Sequence, residues 1–331
     1  MLYIMLGDKL NRYLFAFLGL TTIGFLYNRY EEKNRSSEEE ETYNSIRNYL
    51  LNDSSLAKSK KPIMWLHVPY RTNARKWSDF GSRNTTNLNQ PYLSLCVKSI
   101  IDKCGKDFHI CLIDDDSFAN LIPDWLTDMS RIPEPLSTYM RNIGMCKLVY
   151  YYGGMVMPIQ TICMKNMKSL YDSMTGLNKP FFIENHTTTM NVSQQVTMFP
   201  SYEMFGALKN NQTMKKIIGI QEENLSRDAT SETLFIGQLE RFLFEMSQKG
   251  EISMVDGRII GIKDANNEPI GIEDLFSQEK NGIMLHSNHV CMILPSEQIL
   301  KRNKYEWFAS LNVAQVLEGN YYLANQLKKQ V

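Results

Sequence analysis

Three consecutive carboxylates, Asp114, Asp115 and Asp116, follow Asp107–Ile113, an apolar segment rich in β-forming residues. Carboxylates that leave the end of a strand together could bind a divalent cation. They could equally cap a helix beginning at Ser117, because an aspartate oxygen accepts hydrogen bonds from the free N–H groups of a first helical turn. We favour capping, since N-caps are far commoner than magnesium sites, and we assign no metal ligand.

Acid–base chemistry is a second possibility, and it centres on Glu184 and His186. Both follow the apolar run Phe181–Ile183, which predicts a buried strand that ends in polar residues. A carboxylate beside a histidine at a strand end could transfer protons, whereas the same pattern also fits a surface turn. The candidate catalytic residues are therefore Glu184, His186 and Asp116.

Thiol and imidazole groups offer little further chemistry. The chain has six cysteines with no Cys-x-x-Cys spacing: Cys96, Cys104, Cys111, Cys146, Cys163 and Cys291. This pattern is not typical of a zinc site or a small disulfide scaffold. Most of the cysteines lie in apolar runs, as buried free thiols do. One or two disulfides could still form if the domain lies in an oxidising lumen.

The elements that must position these side chains follow an α/β order. Apolar runs predict strands at Pro62–Val68 and Asp107–Ile113. Helices are predicted at Pro91–Lys103 and Thr138–Tyr152, the second with Ser137 as its N-cap. A strand–helix–strand order of this kind predicts a mainly parallel sheet with helices against it.

Ligands of open α/β sheets bind at the carboxyl ends of the strands. We therefore expect the residues that follow the strands to line one crevice, namely His67, Pro69, Asp114–Asp116 and Pro158–Gln160.

The helix predicted at Thr138–Tyr152 runs into a glycine pair, Gly153 and Gly154. Glycine takes positive φ without a steric penalty, so this pair can end the helix sharply. A short apolar strand follows, and Pro158 limits its continuation because proline cannot donate a hydrogen bond to a neighbouring strand.

An apolar helix, Tyr152-Gly153-Gly154 and a buried strand together resemble the nucleotide-sugar core of the DXD-type glycosyltransferases. Those include the initiating mannosyltransferases and the capsular-polysaccharide synthesis proteins. The resemblance covers roughly residues 62–240 and implies a GT-A-like, Rossmann-type domain. It also implies a Phe-Met-Ala-type turn near the acceptor within Met198–Leu208. The residues that it places at the nucleotide sugar are Trp65, His67, Asp114, Gly153, Gly154 and Gln160. Trp65 could instead pack in the core.

The chain departs from this family at the charged positions. In the family, the strand after the glycine pair ends in Asp-any-Asp, which holds a divalent metal. Pro158 and Gln160 occupy the matching positions here, and Asn142 and Met145 stand where the family has Asp and Arg in the preceding helix. A divalent metal is therefore doubtful as a cofactor, and the charge of a leaving diphosphate would need another partner.

A membrane anchor is predicted near the amino end. Tyr13–Tyr27 contains no charged residue, and polar flanks could extend it to the length of about 17–25 residues that crosses a bilayer. Lys9 and Arg12 precede it, which favours a cytoplasmic amino end and type II topology. The predicted order is a tail at 1–12, a signal-anchor at 13–27, a polar stem at 28–60 and a glycosyltransferase-like domain at 61–331. The domain would lie in the Golgi or ER lumen, or at a virion membrane.

Two functions remain open on this basis. The first is a type II membrane-anchored glycosyltransferase that moves a sugar from a nucleotide-sugar donor to a glycan or protein. The second is a catalytically inactive protein of the same fold with a structural or sugar-recognition role. A net charge of zero argues against non-specific nucleic-acid binding. An α/β hydrolase is not supported, because the chain has no Gly-x-Ser-x-Gly elbow.

Overall fold

The computed structural model describes residues 61–68, 90–186, 198–226, 232–278 and 283–330, without the side chains of 186 and 232–237. The predicted tail, signal-anchor and stem lie outside these residues, as does Pro69. Within the described ranges, no helix has both the length and the apolar character needed to cross a membrane.

A six-stranded sheet in the order β2-β1-β3-β6-β5-β7 forms the centre of the fold. The strands are β1 (Ile63–His67), β2 (His109–Ile113), β3 (Gly154–Val156), β5 (Phe181–His186), β6 (Met198–Ala207) and β7 (Ser253–Val255). β1 is parallel to β2 and β3, β7 is parallel to β5, and β6 is antiparallel to both of its neighbours. This arrangement confirms the predicted α/β class with a mixed, mostly parallel sheet.

The expectation of a turn within Met198–Leu208 was wrong. This segment forms β6, and its backbone pairs with β3 on one side and with β5 on the other. Most of its side chains are buried. A strand inserted between two neighbours satisfies its backbone N–H and C=O groups on both sides, which a turn in the sheet interior could not do.

Helices cover the sheet and connect its strands. In chain order they are α1 (Pro91–Cys104), α2 (Ser117–Leu121), α3 (Leu136–Tyr152), α4 (Lys168–Thr175), α5 (Gln212–Ser226) and α6 (Glu232–Gln248). Shorter helices follow towards the carboxyl end: α7 (Ile272–Leu275), α8 (Ser296–Lys301), α9 (Val313–Glu318) and α10 (Tyr322–Lys328). α1 makes the crossover that allows β1 and β2 to pair in parallel.

The central helix α3 begins two residues earlier than a Ser137 N-cap would place it. Ser137 lies inside the helix and is buried. The free Thr138 N–H instead donates to the Glu134 carboxylate at 3.1 Å. The cap was misassigned because a carboxylate four residues away reaches the first turn.

The glycine pair ends α3 as the sequence predicts. Gly153 has φ 75° and Gly154 has φ 97°. A Cβ on Gly154 would overlap the carbonyl oxygen of Ile63. The chain can therefore turn from α3 into β3, directly against β1, only where a side chain is missing.

A second, two-stranded sheet pairs β4 (Thr161–Cys163) with β8 (Cys291–Ile293) in antiparallel fashion. β4 starts directly after Pro158–Gln160 and packs on α1. Both strands are fully buried in the main hydrophobic core. The segment after β3 is thus held at both ends, by the central sheet and by this ribbon.

Candidate functional site

The strand registers bring the predicted crevice residues to one edge of the sheet. His67 pairs with Ile113, so Asp114 follows directly beside it. The Met157 N–H donates to the Trp65 carbonyl at 3.0 Å, which places Pro158 next along this edge. Ile183 pairs with Val255, so Asp256 leaves the sheet beside Glu184, which stays in β5 opposite Pro200 of β6. This carboxyl edge is where an open α/β sheet binds its ligands.

At one end of the edge, His67, Asp115, Arg141 and Glu134 form what we call the Asp115 cluster. Asp115 accepts two hydrogen bonds from Arg141, at 2.9 Å from Nε and 3.0 Å from Nη2. His67 Nε2 lies 2.9 Å from Asp115 Oδ1, and Glu134 accepts from Arg141 Nη1 at 2.9 Å. The His67 ring stacks on Phe118. Four elements of the fold therefore meet through one arginine and one carboxylate.

Both carboxylates of the Asp115 cluster are held in the ionised form. Burial opposes ionisation of Asp115, but hydrogen bonds from His67 and Arg141 outweigh it and lower its pKa to about 2. Burial also opposes ionisation of Glu134, and hydrogen bonds from Ser137, Thr138 and Arg141 lower its pKa to about 2. Neither group can supply a proton near neutral pH, so their role is to position α3 against the strand ends.

The two flanking aspartates behave differently. Asp114 accepts hydrogen bonds from the Ser117 N–H at 2.9 Å and from the Ser117 hydroxyl at 2.7 Å. Asp114 therefore satisfies the first N–H of α2, in line with the capping interpretation, whereas Asp116 occupies the N-cap position and makes no side-chain capping hydrogen bond. These bonds leave Asp114 less free for a nucleotide. Asp116 is exposed at the edge and stays a predicted catalytic residue. In the described part of the chain, no three His, Cys, Asp or Glu side chains come together as a metal site would require.

At the other end of the edge, Glu184, Lys263, Asp256 and Arg258 form the Glu184 cluster. Glu184 accepts from Lys263 Nζ at 2.7 Å and from the Gly257 N–H at 2.9 Å. Only 14% of the Glu184 side chain and 10% of the Lys263 side chain are exposed. Arg258 donates to Asp256 in the same turn, and this bond lowers the Asp256 pKa. The Glu184 cluster therefore holds the end of β5 to the segment after β7.

Of the predicted acid–base pair, the structure describes the side chain of Glu184 but not that of His186. Both oxygens of Glu184 are engaged, which suits a structural carboxylate better than a free base. His186 is the last residue of β5, and its side chain lies outside the described residues. The neighbouring Asn185 amide donates to Glu203 at 2.9 Å. The catalytic roles of Glu184 and His186 stay predictions.

Trp65 takes the core-packing role rather than facing the crevice. Its side chain is 1% exposed, and its indole N–H donates to the Gly153 carbonyl at 3.1 Å. The indole thereby supports the turn at Gly153 and Gly154 from beneath. Gln160 is partly exposed in the segment after β3, where its carbonyl accepts from the Leu294 N–H at 3.0 Å. Of the six predicted nucleotide-binding residues, His67, Asp114 and Gln160 have side chains that remain partly exposed at this edge.

Sequence reasoning missed the cationic members of both clusters. Ser137 and Arg141 are spaced at i and i+4 on one face of α3, and Glu134 lies in the turn just before the helix, a spacing that could have indicated their contact. No local pattern points to Lys263, because it meets Glu184 across 79 residues of chain.

No family model and no curated protein matches this sequence. Solved structures that are similar to this chain include glycosyltransferases. One is the galactosyltransferase LgtC in complex with donor and acceptor sugar analogs, at 9% identity and a TM-score of 0.37, over 74% of this chain and 94% of that one. An active-site mutant of LgtC gives 11% identity and a TM-score of 0.38. The glycosyltransferase GlyE of Streptococcus pneumoniae TIGR4 gives 12% identity and a TM-score of 0.32, over 60% of this chain and 46% of that one.

Proposed function

We propose that this protein binds a nucleotide sugar along the carboxyl edge of its sheet, as a type II membrane-anchored, glycosyltransferase-like protein. The observation that carries the proposal is the shared level of His67, Pro158 and Glu184 at the carboxyl edge of the sheet, at the opposite end of β3 from the turn at Gly153 and Gly154. β1 and β5 are three interstrand spacings apart in the sheet order, or roughly 14 Å. This length suits a nucleoside diphosphate with its sugar, lying across the strand ends.

Donor binding would differ from the family's usual mode. Pro158 and Gln160 carry no charge, so they cannot bring a divalent cation to a diphosphate. The donor's phosphates would instead meet N–H donors and partly exposed side chains along the edge. We therefore expect donor binding to be independent of Mn²⁺.

A second candidate is a non-catalytic sugar-recognition protein. It is favoured by the pairing of cationic with anionic side chains in the two clusters at the carboxyl edge. In the Asp115 cluster two carboxylates face Arg141 and His67, and in the Glu184 cluster two carboxylates face Lys263 and Arg258. Each cation is already paired with an anion. A leaving diphosphate needs surplus positive charge, and these two clusters do not offer it.

The membrane part of the proposal rests on Tyr13–Tyr27 and on the basic residues before it. An uncleaved anchor would hold the domain in the Golgi or ER lumen, or on a virion membrane. A sugar donor and a glycan or protein acceptor would meet the domain there. Protease protection in sealed microsomes tests this topology, because a lumenal domain survives until detergent is added.

Calorimetric titration of the full chain in mild detergent tests donor binding. A panel of UDP- and GDP-sugars is titrated with EDTA and then with Mn²⁺, and released nucleotide is measured in parallel. Binding with turnover supports the transferase, and binding without turnover supports sugar recognition. If no nucleotide sugar binds under either condition, the transferase candidate is wrong.

A further inference from the structure

Three buried thiols gather where α1 meets the β4–β8 ribbon. Cys104 is the last residue of α1, and Cys163 is the last residue of β4. Their sulfur atoms lie 3.6 Å apart. Cys291 is the direct cross-strand partner of Cys163 on β8. All three side chains are completely buried.

The two sulfur atoms are close enough that a small movement would bring them to the length of a disulfide bond. A disulfide requires about 2.05 Å between sulfur atoms, so the pair must close by roughly 1.5 Å. Rotation of two cysteine side chains about χ1 covers such a distance without moving the backbone far. Either thiol can donate in the sulfur–sulfur contact, and the Cys163 thiol also donates to the Lys165 carbonyl at 3.2 Å. The interaction with Cys163 lowers the Cys104 pKa, which favours the thiolate that attacks a disulfide.

A link at this position would join segments that are far apart in sequence. The two cysteines are separated by 59 residues. At present the Cys163 N–H donates to the Ser99 hydroxyl of α1 at 2.8 Å. β4 begins immediately after Pro158–Gln160, so a covalent link would fix the carboxyl-edge segment to α1. The link rests on the lumenal placement of the domain that is part of the proposed function, but it does not depend on whether the domain binds a sugar donor.

We propose that Cys104 and Cys163 form a disulfide when the domain folds in an oxidising compartment. The Cys104 thiolate attacks a disulfide of a thiol–disulfide oxidoreductase, which forms a mixed disulfide and releases one oxidoreductase thiolate. The Cys163 thiolate then attacks Cys104 Sγ and releases the second. The two cysteines lose two protons and two electrons, and the oxidoreductase disulfide is reduced to a dithiol.

Peptide mapping of the full chain tests the link. Protein made in a secretory compartment is quenched in acid, unfolded with an alkylating reagent present and digested without reductant. The expected product joins the Cys104 peptide to the Cys163 peptide and weighs two hydrogen atoms less than their sum. Cys96 and Cys146 should be alkylated in the same digest. Recovery of Cys104 or Cys163 as a fully alkylated thiol, or a link between Cys163 and Cys291, overturns the proposal.

Thermal unfolding with and without reductant provides a second measurement. Removing a cross-link over a loop of this length should lower Tm by about 5 °C or more. C104S should abolish this difference between oxidised and reduced protein, whereas C146S should keep it. The comparison is made within each variant, so a general loss of stability does not obscure it. An equal Tm for oxidised and reduced wild-type protein contradicts the link, whether or not the protein binds nucleotide sugars.

Discussion

Arg141 on α3 and Asp115 after β2 form a two-bond ion pair beneath the carboxyl edge of the sheet, at 2.9 and 3.0 Å. The side chains are 15% and 6% exposed. The pair joins the central helix to the strand end that precedes α2. The geometry of the candidate site therefore depends on one buried arginine that lies outside the family's charged positions.

Replacing Asp115 with asparagine should be strongly destabilising. D115N removes the anionic partner of His67 and of the Nε and Nη2 groups of Arg141, which keeps its bond to Glu134. Losing one member of a buried pair costs about 3–5 kcal/mol. Urea unfolding followed by tryptophan fluorescence measures the loss. The matched control is D102N on the exposed face of α1, where a change within about 0.5 kcal/mol is expected. A D115N protein as stable as the control would contradict this role for the ion pair.

The same carboxylate should make stability depend on acid pH. The folded-state pKa of Asp115 is about 2, below the unfolded value of about 3.9. Ionised Asp115 therefore contributes about 2 kcal/mol to the free energy of unfolding. This contribution is fully present above about pH 4 and is lost as the pH falls through 2. Unfolding of wild type and D115N is compared at pH 7, 5 and 3. The stability gap between them should stay constant from pH 7 to 5 and narrow at pH 3, whereas a gap that widens in acid would have the wrong sign.

A methyl group at Gly154 should prevent normal folding. G154A forces a residue with a Cβ into φ 97°, and the new atom overlaps the Ile63 carbonyl. The overlap adds to the usual cost of backbone strain at a non-glycine residue. We therefore expect the free energy of unfolding to fall by at least about 3 kcal/mol, or the protein to be insoluble. G219A in α5 is the control, because a Cβ there meets no neighbouring atom. That variant should gain up to about 1 kcal/mol, and equal behaviour of the two would contradict the close approach of Gly154 in β3 to Ile63 of β1.

Substitutions at Glu184 and Lys263 should have strongly non-additive effects on the free energy of unfolding, because the two side chains form a buried ion pair. E184Q and K263M each leave one buried charge without a partner, at a cost of about 3 kcal/mol or more. The double variant removes both charges, so it should lose less than the sum by about 2 kcal/mol. E297Q, which breaks the exposed pair with Lys301, should cost less than about 1 kcal/mol. Simple additivity in the double-mutant cycle would show that the two groups do not depend on each other.

Restoring two carboxylates after β3 should create a metal site. The double variant P158D/Q160D places Asp-any-Asp where the resembling family holds its divalent cation, and carboxylate pairs bind Mn²⁺ through oxygen. Electron paramagnetic resonance measures bound Mn²⁺. We expect binding by the double variant and markedly weaker binding by each single variant. No gain in Mn²⁺ binding would indicate that the segment after β3 is aligned differently from the family's strand.

The sequence determined much of the chain's local structure. β1, β2 and β5 were predicted because short apolar runs rich in β-forming residues are typical of buried strands. α3 and its end at Gly153 followed from an apolar helix that runs into two residues able to adopt positive φ. These are effects of neighbouring residues, so the sequence is sufficient to identify them.

Contacts between distant residues were decided only in the tertiary structure. The sequence shows that Asp114, Asp115 and Asp116 stand together. The fold assigns one to a helix cap, one to a buried ion pair and one to the surface. Met198–Ala207 became a central strand because β3 and β5 offer it partners on both sides. Lys263 reaches Glu184 because β7 pairs with β5. Electrostatic energies and backbone pairing depend on distances through space, and the order of residues along the chain does not specify those distances.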